Sequence, residues 1–411
     1  MRQKERRARR KRQRLQRTRM NSAALGLAFD YIVVGSGASG GVLAAALAAK
    51  GPTLLVERGP NNTAYPQSAV PQGWPQIAVI AAEAQRAHDS GMWTLVPAVL
   101  GGGSALNGAV CWRGEVAAFE ALGFSSSETA AAFEAIEAAP CAQPAATTEF
   151  TEAFAASWAA AGLGELERLS SGVLDEVATG LASWAAKPLG VQQARSIYRD
   201  GVRQPTDTLF TDTNTSSGVR TNLTVLLGTR VRRILFDGTR AAGVEAVVAG
   251  FSKLTLRTRR GGEVLLSAGA FETPKLLMLS GVGPATELTE HGIPIVAENE
   301  GVGAGLIDRM EVIVSVPAAR ILDGGDTAAL NMAAVGEHSW ASFVHQRSFA
   351  WGAAFSLATS APPQRTQECR EALVGALLMY GDGVTPPGAQ ALAPMYVAQR
   401  RPTARGRVRL A

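Results

Sequence analysis

The stretch Phe29-Asp30-Tyr31-Ile32-Val33-Val34-Gly35-Ser36-Gly37-Ala38-Ser39-Gly40 decides the fold of this chain. Tyr31–Val34 is short, apolar and β-prone, and glycine bounds it at once. A strand of that length running into G-x-G-x-x-G predicts a strand, a tight turn and a helix. Val42–Lys50, rich in Ala and Leu, supplies the helix. Gly51 stands where a left-handed C-cap is wanted, and Pro52 cannot continue a helix. Thr53–Val56 reads as a second strand ending at Glu57, 22 residues beyond Gly35. Each glycine has a physical task. Gly35 permits the turn, Gly37 keeps side-chain atoms away from a pyrophosphate, and Gly40 lets helix and strand approach. The helix N-terminus offers free N–H groups to phosphate, and Glu57 can accept hydrogen bonds from ribose hydroxyls. The unit predicts dinucleotide binding and disfavours a 2′-phosphate; by itself it does not separate FAD from NAD.

A second glycine-rich stretch follows, Val99-Leu100-Gly101-Gly102-Gly103-Ser104-Ala105-Leu106-Asn107-Gly108, then Ala109-Val110-Cys111-Trp112-Arg113-Gly114. Three consecutive glycines cost backbone entropy, so ordinary packing explains them poorly. They suit a chain passing close to a flat ring or a phosphate, with Ser104 and Asn107 as hydrogen-bonding groups. A third stretch runs Gly261–Gly269 and Ala270–Gly283. It predicts a buried strand over Val264–Ser267, then a helix with Thr273 as N-cap and Pro274 at its first position, closing at Gly281. Pro284 starts another helix ending at Gly292, before a strand over Ile293–Val296.

Together these segments resemble the glucose–methanol–choline (GMC) flavin oxidoreductases, and within them the plant mandelonitrile-lyase and HOTHEAD-like branch. The resemblance spreads over most of residues 29–310, including Glu57-Arg58-Gly59 and Asn222–Asp237. It implies an α/β fold: a Rossmann-like FAD-binding domain and a second α+β substrate domain built on an antiparallel sheet. It implies FAD, with Gly35, Gly37, Ala38, Ser39, Gly40, Glu57 and Arg58 lining the ADP half. By the same resemblance Val99, Ser104, Asn107, Gly108, Ala109 and Val110 follow the pyrophosphate towards the flavin ring, and the backbone of Val231 meets the adenine. Some members attach FAD covalently through a histidine just before the Asn. Leu106 stands there in this chain, which implies FAD held without a covalent bond.

The implied chemistry is hydride transfer from the CH–OH carbon of a small alcohol-type substrate to flavin N5, with a histidine taking the hydroxyl proton. That histidine and its His or Asn partner lie near the family's C-terminus. This chain has His88, His291, His338 and His345, none in that context, so no residue is assigned as the base. Thr403–Ala411 resembles the strand that enters the family's C-terminal section, so the chain reads as stopping short, with an unpaired sheet edge there. A lyase-type or light-driven decarboxylase-type member, or an FAD-binding protein without turnover, are the alternatives.

Charge and composition narrow the partners. Residues 1–20 hold eleven Lys/Arg and one Glu, a net of +10, whereas the whole chain is only +5, so the remainder is −5. Nucleic acid is therefore not an expected partner of the body, and 1–28 reads as a basic tail without order. No uncharged apolar run reaches the roughly 18 residues of a membrane span. Cys111, Cys141 and Cys369 are too few and too scattered for a disulfide framework or a zinc site. The expected organisation is an FAD-binding domain from 29–115 and 205–310. A helical insert and partial substrate domain come from 116–204 and 311–411. Phe119, Leu122, Phe133, Phe150, Phe154 and Trp158 are candidate core of the insert, and Met310–Pro317 alternates as the opening strand of the antiparallel sheet.

Overall fold

The computed structural model describes residues 20–21, 29–69, 81–86, 93–107, 109–111, 119–137, 143–144, 190–192, 195–199, 202–210, 220–248, 252–308, 311–317, 354–357, 372–376, 392–399 and 405–410. The predicted first unit is a strand, Phe29–Val34 (β1), a helix, Ala38–Ala48 (α1), and a strand, Thr53–Val56 (β2). β1 and β2 are parallel, from Tyr31 opposite Thr53 to Val34 opposite Val56. Leu223–Leu226 (β3) adds in parallel outside β2. Thr229–Asp237 (β4), Arg240–Val248 (β5) and Ser252–Leu266 (β6) form an antiparallel meander. The main sheet has the order β3-β2-β1-β6-β5-β4.

β6 belongs to both parts of that sheet. Its first half pairs antiparallel with β5, and Glu263–Leu266 pairs parallel with Tyr31–Val34. Between them the register slips from Thr258 to Glu263, where Gly261 adopts φ 87°. A bulge with a left-handed glycine bends a strand and raises its twist. One long strand thus passes from meander to parallel sheet, well beyond the short Val264–Ser267 strand expected from sequence.

β1 and β2 are buried on both faces, as parallel strands covered on both sides should be. Ile32, Val34, Leu54 and Val56 face a cluster with Ile234, Val244, Leu254, Leu256 and Leu276. Val33 and Leu55 face the opposite way, against Ala44, Ala45 and Ala48 of α1, with Leu100, Phe210 and Leu223. The small side chains of α1 bury little area themselves. They let the helix lie close enough to cover Val33 and Leu55 completely.

Several local expectations change. α1 begins at Ala38, four residues before Val42. Gly51 is not left-handed; a Cβ there would meet only the Asp30 side chain, 2.5 Å from its Oδ2, and that carboxylate can swing aside. The helix after β6 is Gly269–Leu279 (α2), which places Pro274 inside it and leaves Thr273 no capping role. Gly269, at φ 90°, turns the chain from strand to helix within one residue, so the helix starts before the proline. The next helix is Ala285–Glu290 (α3), with Pro284 as its N-cap residue. Ile293–Val296 is not a strand: Val296 N–H and Ala297 N–H both donate to Gly281 O, and the two-residue strand Ala297–Glu298 pairs with Val282–Gly283.

A second, antiparallel sheet has the order 311–317, 392–399, 372–376, 354–357, 190–192. It contains the expected opening strand, Glu311–Pro317. In the insert, Ser126–Ile136 is a helix closed by a capping box between Ser125 and Glu128. Phe119 and Phe133 meet edge to face at 5.5 Å but are only half-buried, and Leu122 is 73% exposed. Phe150, Phe154 and Trp158 lie outside the described residues, as do His88, His338 and His345. Met20–Asn21, within the tail expected to lack order, pairs in parallel with Leu254–Thr255 of β6. The C-terminal strand is not left unpaired. Gly406–Arg407 pairs antiparallel with Ala304–Leu306, Val408 N–H donates to Gly303 O at 2.7 Å, and Leu410 N–H donates to Glu287 Oε1 at 2.6 Å.

Candidate dinucleotide site

The turn from β1 to α1 is built from close backbone approaches. Gly35 has φ 95°, and a Cβ on it would lie 2.4 Å from Ser267 O. A Cβ on Gly40 would lie 1.9 Å from Gly35 O, so helix, turn and β6 can meet only if both residues are glycine. Gly37 is different: nothing lies within 4 Å of its missing Cβ. The space it leaves is open, at a helix start whose N-cap supplies no side-chain acceptor. Ala38 and Ser39 are exposed there. Free N–H groups with the positive end of the helix dipole behind them form an anion cradle.

Glu57 closes the other side of the turn. Its Oε2 accepts from Ser36 N–H at 3.0 Å and from Ser36 Oγ at 2.7 Å, and its Oε1 accepts from Gly59 N–H at 2.8 Å. A carboxylate has about four acceptor positions, so about one remains for a ligand hydroxyl. Thr229 N–H donates to Glu57 O at 2.9 Å, which brings the start of β4 beside that residue. Val231, two residues along, pairs with Ala246 at a register irregularity of β4. Arg58 is engaged by the protein itself. Its Nη2 donates to Val96 O at 3.1 Å and to Pro97 O at 2.9 Å, and its Nη1 lies 3.7 Å from Glu272 Oε1. It ties the end of β2 to the Trp93–Pro97 strand and to α2.

The second glycine stretch folds onto the first. Gly101 N–H donates to Ser36 Oγ at 3.1 Å, and a Cβ on Gly102 (φ 51°) would lie 2.6 Å from Gly37 Cα. Ser104, in a one-turn helix over Gly103–Leu106, donates through Oγ to Gly101 O at 2.6 Å and accepts from Thr206 N–H at 3.1 Å. Thr206 Oγ1 reaches Ser36 O and Gly37 O, each at 3.3 Å. Val99 and Leu106 are buried in one cluster with Ala81 and Ala105. Asn107 is exposed, and its Oδ1 accepts from Ala109 N–H at 3.0 Å. Ala109 is the one non-glycine residue with positive φ among those described, at 64°. Its carbonyl accepts from Ile197 N–H at 3.0 Å, and Val110 pairs with Ser196. Gly108 lies outside the described residues.

Four residues of this site were missed from sequence: Ser36, Tyr198, Arg203 and Thr206. Ser36 occupies a variable position of the glycine motif, and the others lie about a hundred residues from the stretch they support. Nothing local distinguishes them. Tyr198 is buried, and desolvation pushes its phenol up to about 12. Asp207, next to Thr206, receives Asn62 Nδ2 on both carboxylate oxygens at 2.9 Å, and burial raises its carboxyl above the usual range. His291 holds Glu287 O with Nδ1 at 2.9 Å, away from the glycine loops. Among the described residues no three His, Cys, Asp or Glu side chains gather as metal ligands, and no helix is long and apolar enough to cross a membrane.

The open space at Gly37, the uncapped helix start and the remaining acceptor on Glu57 fit a dinucleotide. Comparison with known proteins agrees. The family model described as GMC oxidoreductase matches residues 29–311. The chain is 30% identical over 321 residues to the chloroplastic fatty acid photodecarboxylase of Chlamydomonas reinhardtii, covering 71% of this chain and 50% of that one. It is 31% identical over 322 residues to choline oxidase of Arthrobacter globiformis, covering 71% and 56%. It therefore spans about half the length of these curated relatives. Among solved structures, pyridoxine 4-oxidase from Mesorbium loti superposes with a TM-score of 0.68 at 23% identity, covering 93% of this chain and 73% of that one. A formate oxidase variant of Aspergillus oryzae gives 0.71 at 20%, covering 94% and 75%. At those identities the likeness shows the fold. The chain belongs to the GMC oxidoreductase family, and FAD is the cofactor its dinucleotide site takes.

Proposed function

We propose that this chain forms the FAD-holding body of an oxidoreductase acting on the CH–OH group of a small alcohol-type substrate. The observation that carries the reading is the joining of two glycine stretches, about 65 residues apart in sequence, into one cradle through Ser36 and Thr206. The α1 N-terminus and Gly37 would take the pyrophosphate, Ala38 and Ser39 lying at its edge. Glu57 would take a ribose hydroxyl and the backbone of β4 near Val231 the adenine. The Ser104–Val110 segment would lead to the flavin. Arg58 would act one step back, by fixing the end of β2 that carries Glu57. When bound, FAD supplies the hydride acceptor for alcohol oxidation.

The family body is assigned to residues 29–115 and 205–310, with 116–204 and 311–411 as helical insert and partial substrate domain. Leu106, buried in an apolar cluster, supports FAD held without a covalent bond. The full chain should be loaded with FAD, and a panel of small alcohols added without oxygen. Bleaching of bound flavin supports oxidation. Flavin bound but unbleached, with cyanide released from mandelonitrile, moves the reading to the lyase type. Light-dependent loss of carbon dioxide from a long-chain acid moves it to the photodecarboxylase type. Flavin that binds and does none of these leaves an FAD-binding protein without turnover. Acid precipitation tests the linkage; yellow protein pellets would refute non-covalent binding.

A further inference from the structure

Arg203 is a buried guanidinium whose five N–H groups find five acceptors. Nε donates to Ser68 O at 2.9 Å. Nη1 donates to Ser104 O at 3.2 Å and to Asn107 Oδ1 at 3.0 Å. Nη2 donates to Asn107 O at 2.8 Å and to the Tyr198 hydroxyl at 2.7 Å. The guanidinium carbon also lies 4.9 Å from the Tyr198 ring centroid, a cation–π distance. None of these acceptors is a carboxylate. Taking a guanidinium out of water is costly, so a full set of hydrogen bonds is the condition of its burial. Three of the five go to the segment Ser104–Asn107, which precedes the left-handed Ala109.

The network also decides which way the Asn107 amide faces. The atom between Ala109 N–H and Arg203 Nη1–H meets two donors at 3.0 Å each, so it must be oxygen. The Nδ2 group is then turned to the other side, and Asn107 is exposed. Without the Arg203 donor one of two constraints on that choice disappears. A lysine at this position would keep the charge, but its three donors on a point ammonium cannot span Ser68, Ser104, Asn107 and Tyr198 as a planar fork does.

We infer that Arg203 is a positioning residue for FAD. It holds Ser104–Asn107 in place and turns the Asn107 amide so that a hydrogen-bond donor faces the ligand. The inference rests on the reading of this site as the FAD cradle, and it places the determinant of cofactor geometry outside both glycine stretches.

The test compares the full wild-type chain with Arg203→Lys, Tyr198→Phe and Asn107→Asp. FAD affinity is read from flavin fluorescence, and the visible circular dichroism of bound flavin reports the ring's surroundings. Arg203→Lys should weaken FAD about tenfold or more and change the visible dichroism, because charge-assisted hydrogen bonds to the loop are lost. Tyr198→Phe removes one of the five bonds and should weaken FAD by a few-fold at most. It keeps the inference testable should Arg203→Lys fail to fold. Asn107→Asp keeps the oxygen for Arg203 but removes the outward donor, and should weaken FAD about tenfold with little change in melting temperature. If wild type takes up no FAD, the cradle reading itself fails. If wild type binds FAD and Arg203→Lys and Asn107→Asp match it in affinity and dichroism, the positioning role alone is overturned. For Tyr198→Phe, a loss as large as that of Arg203→Lys would also overturn it, since the phenol would then carry the effect.

Discussion

The two glycine stretches of this site are held in opposite ways. The first, Gly35–Gly40, is enclosed by its own neighbours: β1 before it, α1 after it and Glu57 at the end of the strand alongside. The second, Gly101–Asn107, depends on residues about a hundred positions later, Arg203 and Thr206, and through Arg203 on Tyr198. The first stretch takes most of its hydrogen bonds from one strand–helix–strand unit, with Ser267, just past β6, and Thr206 packed against it. Among the described residues, the partner of Ser104 O and of Asn107 O is Arg203, in the later segment. Loop closure over such a distance carries an entropic cost that local turns avoid. The second stretch is therefore the one whose geometry can be tuned without dismantling the sheet.

The largest effect should come from closing the first stretch. Gly40→Val would force atoms into the Gly35 carbonyl, 1.9 Å from the position of a Cβ. Because that neighbour is backbone and cannot swing aside, the loss should exceed about 3 kcal/mol or prevent folding. Urea unfolding measures it, and a variant as stable as wild type would show the contact to be relaxed.

Alkaline stability tests the second stretch. Tyr198 has its phenol raised to about 12 by burial. An unfolded phenol titrates near 10, so the unfolded state releases its proton first. The stability linked to this group is complete below about pH 10 and is lost as pH rises towards about 12, a fall of up to about 2–3 kcal/mol. Tyr198→Phe should lack that slope. Equal pH slopes for the two proteins between pH 10 and 12 would contradict the burial of the phenol.

Ser104→Ala should cost about 1–3 kcal/mol, since Thr206 N–H would lose its acceptor in a buried place. The smallest effect on stability, within about 0.5 kcal/mol, is expected for Gly37→Ala, because its missing Cβ meets nothing within 4 Å and its φ of −62° suits alanine. Yet the methyl would stand in the space assigned to pyrophosphate, so FAD affinity should fall about tenfold or more. Gly40 and Gly37, three residues apart, thus separate folding from binding within one motif. A stable Gly37→Ala protein with unchanged FAD affinity would move the phosphates elsewhere.

The amino-acid sequence by itself determined the β1–α1–β2 unit and the strand Glu311–Pro317 of an antiparallel sheet, and its motifs, by resemblance, the family. The two structural features rest on short-range regularities: alternation, glycine spacing and a glutamate at the end of a strand. Tertiary structure alone decided the rest. Thr273-Pro274 reads as a helix start, but Gly269 turns so sharply out of β6 that the helix is under way before it. Gly51 looks like a left-handed cap and is not left-handed; it packs beside the Asp30 carboxylate. Leu122 fits an apolar periodicity and remains exposed. Arg203 has no motif around it, because what it recognises is not a pattern of side chains but carbonyl oxygens of Ser68, Ser104 and Asn107. Every residue carries such an oxygen, and only the folded chain brings these three to one guanidinium.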